Sequence, residues 1–277
     1  MMISYKVINY LKDEIKLLDN AFDLKDLEIL VSNSFDNIKF KDIEYIFEDS
    51  YNISVLKFAI RRRIQKEPIS QIIGSRKFWN SNFYINETVL DPRPESELIV
   101  EKVLELSGEN LSLIDLGTGS GCLAISIALE RPNFKIFAAD ISHDALKIAE
   151  INSKYYKTPI TFIKSDWFSK INRTFDIIIA NPPYISENEY SSLPIAIRRF
   201  EPKIALTAGL KGLDCIKIII TEFHKYLNPN GIIFIEIGYS QKKIIEELLM
   251  KYGYENVNFF NDLSGKARVV CVKKDAI

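Results

Sequence analysis

Residues 111–130 read LSLIDLGTGSGCLAISIALE: an apolar run of strand length, then three glycines within five residues, then a second apolar run from Cys122. A short apolar run closed by glycine and followed by a longer apolar segment is a strand, a tight turn and a helix in succession. The unit recurs downstream. Residues 135–140 read as a strand ahead of a helix from His143, and residues 160–164 and 175–180 read as two further strands. A helix over 213–227, a turn at Asn228-Pro229-Asn230-Gly231, a strand over 232–237 and a helix over 241–250 continue the series. Alternation of this kind predicts an α/β fold built on a largely parallel, doubly wound sheet with right-handed crossovers. The end differs, because the strands expected over 257–260 and 268–272 are separated by only seven residues. That link is too short for a parallel crossover, so the last strand is expected to be antiparallel.

Upstream the pattern changes. Ile3, Val7, Leu11, Ile15 and Leu18 recur every three or four positions, as do Leu56, Ile60 and Ile64, with Ser54 as N-cap and Pro68 as stop. Both sets lie on one helical stripe, and residues 1–72 are expected to form a small helical domain. Phe78, Trp79, Phe83, Tyr84, Ile85 and Val89, interrupted by Asn80-Ser81-Asn82, are a hairpin signature, so residues 73–93 are expected to be a β-hairpin linker to the α/β domain at 94–277. Pro94 suits the first turn of the next helix, and Glu95 and Glu97 favour its positive end.

Composition narrows the chemistry. The 277 residues, 47% of them hydrophobic, suffice for one large and one smaller domain. Thirty-six basic and 37 acidic residues give a net charge of -1, without the basic excess that stable nucleic-acid binding requires. Cys122, Cys215 and Cys271 form no CxxC pair, and His143 and His224 are the only histidines, so no metal site is expected. Isolated cysteines and acidic residues at Asp13, Glu14 and Asp19 point to a reducing, cytoplasmic setting without a leader, and no apolar run approaches the roughly 20 residues of a membrane span. A soluble monomer is expected. Arg61, Arg62, Arg63 and Lys66 read as a solvated helix face.

In an open α/β sheet, ligands bind beyond the carboxyl ends of the strands. Gly117, Thr118, Gly119, Ser120 and Gly121 lie at the end of the first strand, where glycine lets the backbone approach a ligand. The spacing is G-x-G-x-G, which departs from the dinucleotide pattern. Asp140 ends the second strand, placed to accept the hydroxyls of a ribose or else to cap the helix that follows. Asp115 either holds the glycine loop or touches ligand. Asp166 and Trp167 follow the third strand, where an amine acceptor and an indole face suit an adenine; a core Trp is the alternative. These residues outline an adenosyl pocket and leave open whether S-adenosylmethionine or NAD fills it.

Asn181-Pro182-Pro183-Tyr184, directly behind the strand at 175–180, separates the two. An amide nitrogen is a poor nucleophile and must be oriented and desolvated. The Asn181 oxygen can accept one N–H of a planar NH2 group, the Pro182 carbonyl the other, and Tyr184 offers a face for stacking; proline fixes φ and aims its carbonyl. Asn181, Pro182 and Tyr184 are therefore the expected catalytic residues, and the chain reads as an N-methyltransferase that uses S-adenosylmethionine and needs no catalytic His, Cys or metal. A methyltransferase acting on a nucleic-acid amine and a non-catalytic nucleotide-binding module are the alternatives.

With its motifs in order, the chain resembles the PrmC/HemK family of release-factor glutamine N5-methyltransferases. The resemblance spans roughly residues 68–272: GSRKFW at 74–79, LDPRPESE at 90–97, DLGTGSG, the acid at Asp140, SDWF at 165–168, NPPY, RFEP at 199–202 and DLSG at 262–265. It implies a Rossmann-like methyltransferase sheet, S-adenosyl-L-methionine bound by Gly117–Gly121, Asp140, Trp167 and Asn181, and S-adenosyl-L-homocysteine as product. It also implies a substrate glutamine, in the Gly-Gly-Gln motif of class I peptide chain release factors, held by Asn181, Pro182, Pro183 and Tyr184, with the helical domain helping to dock those factors. Two residues depart from the family pattern, Asp91 where an apolar residue is usual and Ser96 where Thr is common, and neither is expected to touch the chemistry.

Overall fold

The computed structural model of the chain describes residues 29–30 and 50–274. The helical stripe expected over residues 3–18 lies outside them. The chain divides into two compact units, Met1–Gly74 with Pro194–Phe200, and Ser75–Leu193 with Glu201–Ile277.

In the first unit, α1 (Ser50–Ile64) and α2 (Ile69–Ile73) follow one another, separated by Pro68, which cannot continue a helix. Helix α1 includes Ser54, so the residue expected to cap it lies inside it. The basic run is only partly a solvated face: Arg61 is exposed, whereas Arg62 turns back to Glu67, with Nε 2.8 Å from Oε2.

The second unit opens with an antiparallel hairpin, β1 (Ser75–Phe78) and β2 (Ser81–Tyr84), in which Phe78 pairs with Ser81. Its turn is thus Trp79-Asn80, one residue earlier than the Asn80-Ser81-Asn82 interruption suggested. Trp79 takes a positive φ of 51°, held by its backbone N–H on Glu97 and its indole N–H on Glu130. Pro94 opens a 3-10 turn that runs into α3 (Glu97–Leu104), the role expected of it.

The alternating elements then follow: β3 (Ser112–Leu116), α4 (Cys122–Glu130), β4 (Lys135–Asp140), α5 (His143–Tyr156), β5 (Ile160–Lys164) and β6 (Phe175–Ala180). Next come α6 (Glu187–Ser192), α7 (Ile195–Phe200, in the first unit), α8 (Asp214–Glu222), β7 (Leu227–Glu236), α9 (Lys242–Lys251), β8 (Val257–Asn261) and β9 (Ala267–Lys273). The seven strands pair in the order β5-β4-β3-β6-β7-β9-β8, parallel up to β7, with β9 antiparallel to both neighbours. The parallel, doubly wound sheet and the antiparallel last strand are as the alternation predicts.

Successive side chains on a strand face opposite sides of a sheet, and both sides are dry here. Ile114, Ile178, Ile235 and Val270 join the core that includes α8 and α9, while Leu113, Ile177, Phe234 and Val269 join the one that includes α3, α4 and the hairpin. Each such side chain contributes roughly 1.5–3 kcal/mol by leaving water, so the strand ends that carry polar groups rest on a rigid base. Two local details differ from the sequence reading. Asn228–Gly231 is not a turn ahead of β7 but a bulge within it, since Phe175 pairs with Leu227 and Ile177 with Ile232. Helix α6 was not foreseen; Ser186 and Glu189 start it with a reciprocal capping box.

Candidate active site

A cleft of about 260 Å³ opens beyond the carboxyl ends of β3, β4, β5 and β6. Gly117, Gly119, Asp140, Asp166, Trp167, Asn181 and Pro183 all line it, so seven of the expected residues converge on one space. A Cβ added at Gly119 would meet nothing within 4 Å, and one at Gly117 would come 3.6 Å from the Trp167 indole. The loop therefore presents bare backbone to the cleft.

The other loop residues work from behind. Thr118 and Ser120 are buried, and neither lines the cleft. The Thr118 hydroxyl donates to Asp115 Oδ2 at 2.6 Å, so Asp115 holds the loop from inside the sheet and is not on the cleft wall. Asp115 is 1% exposed, and its burial, offset in part by the Thr118 hydroxyl, pushes its pKa up to about 7. Gly121 caps α4 with φ +81°; a Cβ there would press on Ala149 of α5 at 3.1 Å, so the glycine lets the two helices close on each other. Asn152, absent from the sequence reading, ties this loop to the hairpin, donating to the carbonyls of Ser120 and Tyr84 at 2.9 Å each.

Asp140 accepts the backbone N–H of Gly119 at 2.9 Å through Oδ2 and that of Ser142 at 2.8 Å through Oδ1. It thus joins the glycine loop to the start of α5, whose N-cap is Ser142. Burial raises its pKa above the ordinary carboxylate value, against the pull of those N–H donors. Trp167 sits at φ +44°, and Ser165 braces it, donating to the Trp167 carbonyl at 2.8 Å and accepting from the Lys170 N–H at 3.0 Å.

At the end of β6, Asn181 donates through Nδ2 to Ser96 Oγ at 2.9 Å, and Ser96 Oγ donates to Glu236 Oε2 at 2.5 Å. The Tyr184 hydroxyl donates to Glu236 Oε1 at 3.2 Å. Glu236 is wholly buried at the end of β7, and desolvation, countered by Ser96 and Arg268, pushes its pKa up to about 7. Burial, with Glu236 beside it, also raises the Tyr184 pKa. Ser96 corrects the expectation that this departure from the family pattern lies clear of the site, because it touches Asn181 directly. Pro182 is buried and does not line the cleft. Tyr184 faces a neighbouring cleft with Asn188, Tyr239 and Arg268, so the Asn181–Tyr184 loop has one wall in each.

Arg93 of the LDPRPESE motif and Glu201 of the RFEP motif also meet. Arg93 Nη2 donates to both carboxylate oxygens of Glu201, at 2.7 and 2.6 Å. Glu201 is buried, and Pro202, Ile204 and Ala205 just beyond it line the cleft, so the ion pair fastens that segment to the cleft rim.

Residues 88–199 match the family model described as the methyltransferase small domain. A release factor glutamine methyltransferase of Coxiella burnetii is 39% identical, over 79% of this chain and 79% of its own. A bifunctional methyltransferase of Rickettsia prowazekii is also 39% identical, and the chain spans about half the length of that relative, 46% of it. A crystal structure of a methyltransferase from Pyrococcus furiosus shares the fold, with a TM-score of 0.51 at 18% identity over 82% of this chain and 100% of that one. By its identity to relatives matched over most of their length, the chain belongs to the release factor glutamine methyltransferase family.

Proposed function

We propose that the chain transfers the methyl group of S-adenosyl-L-methionine to the side-chain amide nitrogen (N5) of the glutamine in the Gly-Gly-Gln motif of class I peptide chain release factors. It acts as a monomer in the cytoplasm and releases S-adenosyl-L-homocysteine. The observation that carries this reading is the Asn181 carboxamide at the end of β6, its nitrogen engaged by Ser96 and its position on the wall of the cleft shared with Gly117, Asp140 and Trp167. Family membership supports it.

The residues present fit the cofactor. Bare glycine backbone, a carboxylate at the end of β4 and an indole after β5 are what a methionine tail, a ribose and an adenine each need. Bound S-adenosylmethionine supplies an electrophilic methyl on a sulfonium. Asn181 Oδ1 accepts one N–H of the substrate amide from the cleft wall; the Pro182 carbonyl accepts the other and Tyr184 supplies an aromatic face where the loop passes from this cleft to its neighbour, since neither residue lines the cleft itself. Holding the nitrogen in this way replaces the ordering that a freely tumbling amide would need, an effect that supplies much of the acceleration when two reactants must meet in line. As the new N–C bond formed and the methyl–sulfur bond broke, with S-adenosyl-L-homocysteine as the leaving group, the nitrogen's extra proton would pass to water.

Asp140→Ala is expected to weaken S-adenosylmethionine binding roughly tenfold or more, the scale of a hydrogen bond to a charged group. Titration calorimetry reads the affinity, and an unchanged value removes Asp140 from the pocket. For the reaction itself, labelled methyl is followed from S-adenosylmethionine onto purified class I release factor, beside a factor whose Gly-Gly-Gln glutamine is alanine. Label on the unaltered factor alone is the expected result. Label on neither, with cofactor bound, overturns the assignment of substrate.

A further inference from the structure

We infer that Glu236, acting through Ser96, is a positioning residue that dictates which way round the Asn181 carboxamide stands. This inference rests on the amide-binding role proposed above for Asn181.

The argument follows the protons. A carboxylate only accepts hydrogen bonds, a hydroxyl has one proton to give, and a carboxamide carries an acceptor on one side and donors on the other. Glu236 is 0% exposed and receives two donors, the Ser96 hydroxyl at 2.5 Å and the Tyr184 hydroxyl at 3.2 Å. With its proton committed to Glu236, Ser96 can only accept from its other neighbour. That neighbour is Asn181, 2.9 Å away, which must therefore turn Nδ2 toward Ser96. Oδ1 is left for the cleft, the side on which an incoming NH2 group needs an acceptor. A reversed Asn181 would set NH2 against NH2.

Buried carboxylates are retained where they are paired, and this one accepts from Tyr184 at one end of the substrate loop and from Ser96, which holds Asn181 at the other. The same carboxylate steadies Tyr184, so one buried charge orders both ends of Asn181–Tyr184. The groups that face it are Ser96 and Glu95 from the turn before α3, Tyr184 from the loop, Arg268 from β9 and Cys122 at the start of α4. Only a deprotonated Glu236 enforces the direction. Burial sets that transition near pH 7, so the direction is fully set above it and is lost as the pH falls through it.

The test uses the full chain and variants Glu236→Gln, Ser96→Ala and Ser96→Thr. Glutamine has the shape of glutamate but can donate as well as accept, so Ser96 is no longer compelled to point one way. For Glu236→Gln and Ser96→Ala, kcat is expected to fall roughly tenfold or more, the scale on which orienting groups act behind a site. S-adenosylmethionine affinity by calorimetry is expected to stay unchanged, which also reports that the variants fold. Ser96→Thr keeps the hydroxyl and is expected to restore the turnover that Ser96→Ala loses. In the wild type, kcat is expected to fall as the pH drops through about 7, and less steeply in Glu236→Gln, where Asp115, also raised to about 7, still titrates in that range. A readout independent of turnover is the side-chain amide of Asn181 in 15N-edited NMR, whose NH2 protons are expected to show contacts to the Ser96 β-protons in the wild type and to lose them in Glu236→Gln. Persistence of those contacts in the glutamine variant, or a pH dependence that the substitution leaves unchanged, overturns the relay. If the contacts behave as expected and no release factor is methylated, it is the substrate assignment that fails and the relay that stands.

Discussion

Asn181→Ala is expected to lower methyl transfer by roughly 100-fold or more, the cost of removing one preorganised polar contact at a reacting centre. S-adenosylmethionine affinity should be nearly unchanged. Alanine keeps the backbone between the two prolines and the buried end of β6, so the strand and the cleft wall remain. What disappears is the acceptor proposed to turn a weakly nucleophilic amide toward its electrophile, together with one of the two partners of the Ser96 hydroxyl. Single-turnover kinetics beside calorimetry separates the two quantities, and near wild-type turnover sinks the grip assigned to Asn181. The loss should fall on kcat, because the contact matters most once the amide nitrogen is committed to reaction.

Gly212→Ala is expected to damage both stability and turnover from a position outside the cleft lining. Gly212 has φ +67°, and a Cβ built there would lie 2.2 Å from the Tyr184 carbonyl oxygen and 2.9 Å from its carbon. Both atoms are backbone, so no side chain can swing aside. Gln241 closes the arrangement, its Nε2 donating to the carbonyls of Tyr184 and Gly212 at 2.9 and 3.0 Å. A left-handed conformation costs a non-glycine residue about 1–2 kcal/mol, and overpacking adds about 1–3. For a domain of this size the sum corresponds to a melting point lower by roughly 10 °C. Displacing the Tyr184 carbonyl also moves the loop that ends in Tyr184, so turnover should drop with it. Scanning calorimetry and transfer assays on the one variant measure both effects, and a melting point that does not move refutes the close approach.

The parts of the fold that local pattern could reveal are the parts that local physics determines. Strands β3 and β6 are dry on both faces, so they appear in the sequence as largely apolar runs, and the glycines after β3 mark where the run must turn. The short link before β9 forces antiparallel pairing whatever surrounds it. Within the site, Gly117, Asp140, Trp167 and Asn181 each stand at the carboxyl end of a strand or within three residues of it, which is why reading strand ends was enough to place them at one cleft. Glu236 and Ser96 escaped that reading, since they are 140 residues apart, and Ser96 stands 85 residues from Asn181. Only the sheet order, which lays β7 beside β6, brings them together. One signal was available: Glu236 is a single acid closing the run Ile232-Ile233-Phe234-Ile235, where a charge has no place unless something pairs with it. The bulge in β7 was hidden for the opposite reason, because Asn228-Pro229-Asn230-Gly231 is strong turn chemistry that the strand absorbs without ending.

Because β9 sits between β7 and β8, strand β8 has no neighbour in the sheet other than a segment made after it. Until residues 267–273 arrive, the edge of β7 offers Ile232, Ile233, Phe234 and Ile235 with their backbone groups unpaired, the kind of edge on which other chains can add. Assembly of this sheet is therefore tied to its final strand, and a chain stopped short of Ala267 should aggregate instead of settling into a smaller fold. In the intact protein the same arrangement is expected to make refolding concentration-sensitive until β9 is in place, which refolding yield measured against protein concentration checks.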